Sequence, residues 1–337
     1  MDFDLSKQQK MLKDESHNLL SKECDSEYVR TVIADDKGYD QEMWHKMAEL
    51  GWTGLLIPED YEGYFESFLD MIVLLYKVGY ACLPGPLFST SVLGVVTVLE
   101  AGSDEQKNTL LPGVARGDRL MTLAWIEPGG TYTGKGISLN AEKQGDEYVL
   151  SGTKLFVPDA QVADTIICTA RTGDHPENKN AGVTLFVVDA EVQGLDVNPL
   201  DSFTGEKLFE VIFDQVRVPV GNVLGKVDEG MSVLKKVREK AAVAKCAEMS
   251  GGAQKVLEMV VDYAKQREQF GQPIGSFQAI QHHCANMLTY VDTMKIMTYQ
   301  AGWRIDAGLP FEKEVSMCKA WVSDSYRSLV ALGHQVM

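Results

Sequence analysis

The sequence predicts a multidomain α+β protein: a helical N-terminal region, a central β region and a helical C-terminal region. Two contrasts predict this order. Residues 1–120 and 226–337 contain long runs with apolar residues at helical spacing. Residues 121–225 contain short β-branched runs separated by Gly, Asp, Asn and Pro. The length of 337 residues exceeds what one small core needs, so several packed units are expected.

Helices in the first region are indicated by their starts and stops. Ser6 is placed to cap the first helix, and Gly51 and Gly102 follow two later ones. The run after Ser67 is apolar enough to be buried. We predict five helices, over residues 6–20, 40–50, 67–80, 89–100 and 103–112.

The central region predicts strands, and the last region predicts three helices. Because no helical run separates the strands, we expect an antiparallel sandwich or barrel. The strands are predicted over residues 145–152, 165–170, 183–188 and 209–218. The helices are predicted over residues 229–266, 277–308 and 311–337. The first of them would span about 55 Å. Small residues between Ala241 and Ala253 favour close contact with another helix or with a ligand.

Composition excludes several function classes. The net charge of −16 repels phosphate backbones, so no nucleic-acid role is expected. The six cysteines form no C-x-x-C pair, and His282 and His283 are adjacent, so no metal site is predicted. The acidic start lacks the features of a leader, and residues 71–80 are too short to span a bilayer. We expect a cytoplasmic protein without a membrane span.

The most informative stretch is residues 267–283. A helical run ends at Arg267, Phe270-Gly271 and Pro273 break it, and a second helix is expected to start at Ser276. An Arg and amide side chains beside helix ends suit a phosphate or another polar ligand. The alternative is that Arg267 only balances the dipole of the helix that it ends. The sequence has no G-x-G-x-x-G after a strand, no P-loop, no H-E-x-x-H and no G-x-S-x-G.

Together with three earlier segments, this stretch resembles the acyl-CoA dehydrogenase family. The earlier segments are Leu123-Ala-Trp-Ile-Glu-Pro-Gly-Gly, the run from Tyr148 to Ala160, and the run from Phe213 to Gly225. They occur in the family's order and cover essentially the whole chain. The resemblance implies a helical N-terminal domain (1–120), a central β-barrel domain (121–225) and a C-terminal four-helix bundle (226–337). It also implies a homo-oligomer, or a heterotetramer with a homologous subunit.

The resemblance also implies a reaction, a cofactor and partners. A member of this family oxidises an acyl-CoA thioester to its 2,3-enoyl form with FAD and passes the electrons to an electron-transfer flavoprotein. Segments 123–132 and 156–158 would cradle the flavin, and segment 267–278 would hold the dinucleotide of a neighbouring subunit. The implied FAD-binding residues are Trp125, Ile126, Glu127, Thr131, Tyr132, Phe156, Pro158, Arg267, Phe270, Gln278 and Gln335.

The sequence departs from the family pattern at important positions. Tyr132 stands where a small residue is usual, and Pro158 stands where a Thr or Ser hydroxyl is usual. Ala241 stands where some members carry the catalytic Glu, and nearby Glu239 is about 200° away around the helix, so no base is assigned. Most members carry that Glu at a point that would follow Met337. Either the sequence given is shortened there, or the subunit is a non-catalytic partner in a heteromeric acyl-CoA dehydrogenase.

Overall fold

The computed structural model describes residues 4–64, 67–175, 177–178 and 180–337. Within them, six helices precede the sheet: α1 (Lys7–Glu23), α2 (Ser26–Ala34), α3 (Gln41–Glu49), α4 (Phe68–Ala81), α5 (Val95–Ala101) and α6 (Asp104–Ala115). Three long helices follow it: α7 (Gly230–Gln266), α8 (Gln278–Asp306) and α9 (Glu312–Val336). The predicted order of a helical region, a β region and a helical region is therefore confirmed.

Eight strands between the two sets of helices form one sheet. They are β1 (Met121–Ala124), β2 (Asn140–Gln144), β3 (Glu147–Pro158), β4 (Thr165–Arg171), β5 (Val183–Asp189), β6 (Leu195–Leu200), β7 (Leu208–Pro219) and β8 (Val223–Leu224). Two short strands, β9 (Glu268–Gln269) and β10 (Gln272–Pro273), form a separate hairpin.

The sheet corrects the expectation of an all-antiparallel sandwich or barrel. Its order is β6-β7-β3-β2-β4-β5-β8, and β1 pairs with β4 in parallel, with Thr122 opposite Ile166. All four residues of β1 are buried, as is typical of parallel pairs. The parallel pair makes the sheet mixed. No pairing joins β6 to β8 among the described residues, so the sheet does not close. Its core includes the fully buried Leu150, Phe186 and Val211.

The chain divides into two compact units. The helical unit consists of Met1–Val29, Ser67–Leu83 and Glu239–Met337. The sheet unit consists of Arg30–Glu66 and Pro84–Arg238, so the first turns of α7 belong to it. In the part of the chain that the structure describes, no helix is both long enough and apolar enough to cross a membrane.

Side-chain caps fix the starts of the N-terminal helices, as the sequence indicates. Ser6 Oγ accepts a hydrogen bond from Gln9 N at 3.1 Å, and Gln9 Oε1 accepts one from Ser6 N at 3.0 Å. This pair is a complete capping box. Ser67 caps α4 through Asp70 N, at 3.2 Å. Two orphan backbone donors at the start of α1 are therefore satisfied locally.

Three helix predictions need correction, and one helix was not predicted. The helix α2 was missed because it is short and buries only Val32. The helix α6 continues past Pro112 to Ala115, since a proline removes one backbone hydrogen bond while Val114 and Ala115 stay buried. The helix α8 begins at Gln278 rather than Ser276. The helix predicted over residues 89–100 begins with a π-helical turn, Phe88–Gly94, which continues into α5.

In the helical unit, α4 and α7 approach each other at glycines. A Cβ atom built on Gly251 would lie 1.8 Å from Tyr76 O, and one built on Gly79 would lie 2.0 Å from Glu248 O. Real Cβ atoms do not approach a backbone oxygen so closely. The small-residue section of α7 therefore contacts another helix, α4. Of the two alternatives that the sequence favours, another helix or a ligand, the structure shows the helix.

Candidate functional site

The two segments predicted to cradle a flavin lie side by side in the sheet unit. Leu155 N donates a hydrogen bond to Ile126 O at 2.8 Å, and Thr122 Oγ1 donates one to Pro158 O at 2.6 Å. The strand β3 bulges between Lys154 and Val157. At this bulge Phe156 adopts a φ of 54° and its side chain is 52% exposed. An aromatic face is therefore presented beside the loop that follows β1.

Glu127 is the anchor of that loop and points into the core. Its Oε1 lies 2.6 Å from Lys154 Nζ, and both side chains are almost completely buried, at 3% and 0% exposed. Ser138 donates to Glu127 Oε2 through N at 2.8 Å and Oγ at 2.6 Å. Lys154 Nζ also donates to Thr169 Oγ1, at 2.9 Å.

The electrostatics of this pair follow from its burial. Burial alone would raise the pKa of Glu127, but the Lys154 ammonium and the Ser138 hydrogen bonds hold that pKa below its ordinary value. Glu127 is therefore a carboxylate that ties the loop to β3, and its side chain is almost completely buried. Sequence reasoning missed Lys154. The available signal was a lysine inside a predicted strand segment that also carries buried apolar residues.

A pocket beside the same loop joins aromatic side chains to basic ones. The pocket is open to solvent, and the space between its walls is about 360 Å³, part of which is open solvent. The rings of Trp125 and Tyr132 meet edge to face, with centroids 6.2 Å apart, and Arg238 Nη1 donates to Tyr132 O at 3.3 Å. The pocket is lined by Trp125, Thr131, Tyr132, Thr133, Ile137, Met231, Leu234, Lys235 and Arg238.

Sequence reasoning missed the basic side of this pocket. Lys235 and Arg238 are exposed on the first turns of α7, next to the buried Leu234. Basic residues on an exposed helix face usually only contact solvent, so they do not by themselves indicate a binding site. Only the folded loop, which brings Tyr132 to Arg238, distinguishes these two from the other cations of the chain.

The remaining predicted cofactor residues lie in the helical unit, mostly on one connection. Arg267 follows α7, Phe270 and Gly271 form the turn between β9 and β10, and Gln278 begins α8. Phe270 is 92% exposed and has a φ of 55°, and its ring meets that of Phe277 at 6.1 Å. Arg267 O accepts a hydrogen bond from Ile274 N at 2.8 Å, which closes the hairpin.

Gln335 is exposed near the end of α9. A Cβ atom built on the neighbouring Gly333 would lie 3.1 Å from the side chain of Val256 in α7, so this part of α9 packs against α7.

The two residues considered as candidates for the catalytic base lie on α7, where Ala241 is buried and Glu239 is partly exposed. A methyl group at Ala241 offers no proton acceptor.

Sequence comparison places these features in a known family. Residues 6–118, 122–216 and 228–337 match the profiles described as the N-terminal, middle and C-terminal domains of acyl-CoA dehydrogenase. A relative from Bacillus subtilis named "Probable acyl-CoA dehydrogenase YngJ" is 33% identical over 332 residues, which are 96% of this chain and 86% of that protein.

Two further comparisons agree. The "Caffeyl-CoA reductase-Etf complex subunit CarC" of Acetobacterium woodii is 28% identical over 98% of this chain and 88% of its own length. The solved structure of butyryl-CoA dehydrogenase from Megasphaera elsdenii matches with a TM-score of 0.91 and 26% identity, over 100% of this chain and 89% of that one. The chain belongs to the acyl-CoA dehydrogenase family.

Proposed function

We propose that this protein is an FAD-dependent oxidoreductase that removes the Cα and Cβ hydrogens of an acyl-CoA thioester and passes the electrons to an electron-transfer flavoprotein. The observation that carries the proposal is the pairing of the Trp125–Tyr132 pocket with the adjacent Phe156 bulge. The two features offer planar apolar surfaces beside open backbone, next to basic side chains.

The residues of the sheet unit fit a flavin. Phe156 and Trp125 supply aromatic faces on adjoining segments. Among the described residues, apart from the chain neighbours of each glycine, no atom lies within 4 Å of a Cβ built on Gly129 or Gly130. A ring system can therefore approach the backbone of this loop. Bound FAD would supply the hydride acceptor for the reaction. In the helical unit, Arg267 and the exposed Phe270 suit the phosphate and adenine portions of a dinucleotide.

The pocket suits the second ligand, a CoA thioester. The chain carries a net charge of −16, so an anionic substrate needs a local basic surface. Lys235 and Arg238 provide such a surface beside Trp125 and Leu234. A thioester joins an apolar acyl group to a chain that ends in phosphates, and this pocket joins an apolar wall to a basic rim.

The protein's own residues have separable roles in this proposal. The Glu127–Lys154 pair holds the loop that carries Trp125, and Arg238 fixes the carbonyl of Tyr132. Pro158 has no N–H and its carbonyl accepts the Thr122 hydroxyl, so it has no hydrogen to donate to a flavin. We expect the flavin contacts near Pro158 to depend on neighbouring groups.

The reverse reaction is a second candidate. The name of the Acetobacterium relative describes a CoA-ester reductase that works with an electron-transfer flavoprotein. Reduction of an enoyl-CoA uses the same substrate atoms, cofactor and partner. Because the two directions differ only in which species donates electrons, the pocket geometry favours neither of them.

Product analysis tests the proposal. The purified protein, loaded with FAD, is mixed anaerobically with a series of acyl-CoA esters, and the masses of the CoA products are measured by mass spectrometry. We expect one class of ester to lose two hydrogens per reduced flavin. If photoreduced protein instead adds two hydrogens to the enoyl ester and never removes them, the reductive direction is correct. Flavin-loaded protein that changes no ester in either direction would contradict the proposal.

We predict that Arg238→Gln raises the Kd for the accepted acyl-CoA about tenfold, because it removes one charge-assisted contact at the pocket rim. Isothermal titration of the FAD-loaded protein measures this change. Lys236→Gln is the matched control, since Lys236 lies on the same helix but pairs with Glu100 at 3.3 Å and does not line the pocket. Equal Kd values for the two variants would exclude Arg238 from substrate binding.

A further inference from the structure

Three lysines from three helices of the helical unit meet at one level. The helix α1 runs beside α4 so that Gln9 Nε2 donates to Asp70 Oδ1 at 2.9 Å and the ring of His17 meets that of Tyr80 at 5.8 Å. Lys13 lies midway between Gln9 and His17, one turn from each, and so faces the last turns of α4. Lys77 lies there, one turn before Tyr80.

The third lysine comes from α8, which runs antiparallel to α4. Asp306 accepts hydrogen bonds from Phe68 N and Leu69 N at the start of α4. Eleven residues earlier on α8, Lys295 Nζ lies 5.8 Å from the ring centre of Tyr76. Lys295 therefore lies beside the residue that precedes Lys77, and the three lysines lie close enough for their charges to interact.

These lysines are unusually enclosed and lack ion-pair partners. Lys77 is 9% exposed, and Lys13 and Lys295 are partly buried. Lysine is rarely buried unless it is paired. In the described residues, none of the three lies within 4.0 Å of a carboxylate oxygen. Two of them lie over aromatic rings: Lys77 Nζ lies 5.4 Å from the centre of Tyr80, and Lys295 Nζ lies 5.9 Å from that of Tyr299.

The carboxylate nearest in the fold to Tyr80 is already engaged by neutral groups. Glu258 accepts hydrogen bonds from the Tyr80 phenol and from Gln254 Nε2. Burial lowers the pKa of Lys77, and the positive charge of Lys13 lowers it further, while Glu258 and Asp14 oppose the change.

The same holds for Lys295. Burial lowers its pKa and Lys13 lowers it further, while Asp292 opposes the change. Lys13 therefore acts on both Lys77 and Lys295 through like charge, and carboxylates counteract it in each case.

We propose that Lys13, Lys77 and Lys295 together form a binding site for a phosphate-type oxyanion. A dianion at the point where the three ammonium groups meet would accept a charge-assisted hydrogen bond from each of them. It would also offset their repulsion. The site lies wholly within the helical unit and uses none of the residues assigned to the flavin or the thioester.

Thermal unfolding in matched salts tests this site. We expect 10 mM sodium phosphate to raise the Tm of the FAD-loaded protein by about 2–4 °C more than sodium chloride of equal ionic strength. Lys13→Gln and Lys295→Gln should abolish this difference. Without phosphate, each should leave Tm unchanged or raise it, because it relieves repulsion.

Lys255→Gln is the control variant. Lys255 Nζ lies 5.1 Å from the same Tyr80 ring, yet its charge is not among the main causes that lower the pKa of Lys77 or Lys295. Its variant should keep the phosphate effect in full. Adenosine monophosphate identifies the source of the anion: a larger shift with it than with phosphate indicates a nucleotide phosphate, and no shift indicates the free ion.

Equal Tm shifts in phosphate and chloride would overturn the proposal. So would a phosphate effect that survives in Lys13→Gln and Lys295→Gln, or one that Lys255→Gln abolishes equally.

Discussion

Lys154→Met is expected to lower the free energy of unfolding by about 3–5 kcal/mol at pH 7, because it leaves the buried Glu127 carboxylate without its counter-ion. The ammonium lies 2.6 Å from Glu127 Oε1 and 2.9 Å from Thr169 Oγ1, and its side chain has no exposed surface. Urea unfolding, followed by circular dichroism, measures the change.

Two controls locate the cause of that loss. Lys154→Met combined with Glu127→Gln removes both charges, so it should cost less than the single change. Arg217→Gln breaks an exposed pair with Glu147, at 3.1 Å, and should cost less than about 1 kcal/mol. If Lys154→Met costs no more than Arg217→Gln, the buried pair does not stabilise the loop.

The pH dependence of the same variant has a definite sign. In the native protein the pKa of Glu127 is depressed, so its stabilisation is complete above the unfolded value of about 4.3 and is lost as the pH falls through the folded value. Without the ammonium, burial raises the pKa of Glu127, and the variant gains stability as that carboxylate is protonated. The destabilisation should therefore be smaller at pH 4 than at pH 7. A difference independent of pH would exclude Glu127 as its cause.

The second large effect concerns helix packing. Gly251→Ala should destabilise the protein by about 3 kcal/mol or more, because the new methyl group meets Tyr76 O, a backbone atom 1.8 Å away that has no alternative rotamer. Gly252→Ala is the matched control. Its Cβ would lie 3.2 Å from Tyr326 Oη, the flexible end of a side chain, and alanine favours a helix by about 1 kcal/mol.

Urea unfolding of both glycine variants separates packing from helix propensity. We expect Gly252→Ala to be neutral or slightly stabilising. Equal stability of the two variants would show that α4 and α7 can move apart at little cost, contrary to the close approach described for this unit.

Helix starts could be predicted because their determinants are local. Ser6 and Ser67 each satisfy a backbone donor three residues away, so the sequence pattern alone contains the interaction. The end of α6 could not be predicted in this way. There, Val114 and Ala115 are buried by tertiary packing, which outweighs the local signal of Pro112.

The sheet shows the same limit at larger scale. Alternation and turn residues predict that β3, β4, β5 and β7 exist, but not that β1 pairs with β4 in parallel. That pairing joins residues separated by more than forty positions, and periodicity contains no information about it. The antiparallel expectation therefore failed around β4, which pairs in parallel with β1 and, at Asn140 opposite Arg171, with β2.

Site prediction divides along similar lines. The resemblance named Glu127 and Tyr132 by their place in a motif, but the partner of each is distant in sequence. The Glu127 side chain is recognised as structural only once its pairing with Lys154 is known. The Tyr132 loop is recognised as one wall of a basic pocket only once its contact with Arg238 is known. Both partners are defined by packing rather than by any local pattern. The eleven residues named for FAD thus stay a prediction for mutagenesis.

The spectrum of the flavin during an anaerobic titration with acyl-CoA tests the central claim most directly. We predict that the FAD-loaded protein is yellow, that a matching acyl-CoA bleaches its absorbance in the visible range, and that oxidised electron-transfer flavoprotein restores it. Protein that stays colourless after reconstitution with FAD would contradict the claim, as would a bound flavin whose absorbance neither acyl-CoA nor enoyl-CoA esters alter in any redox state.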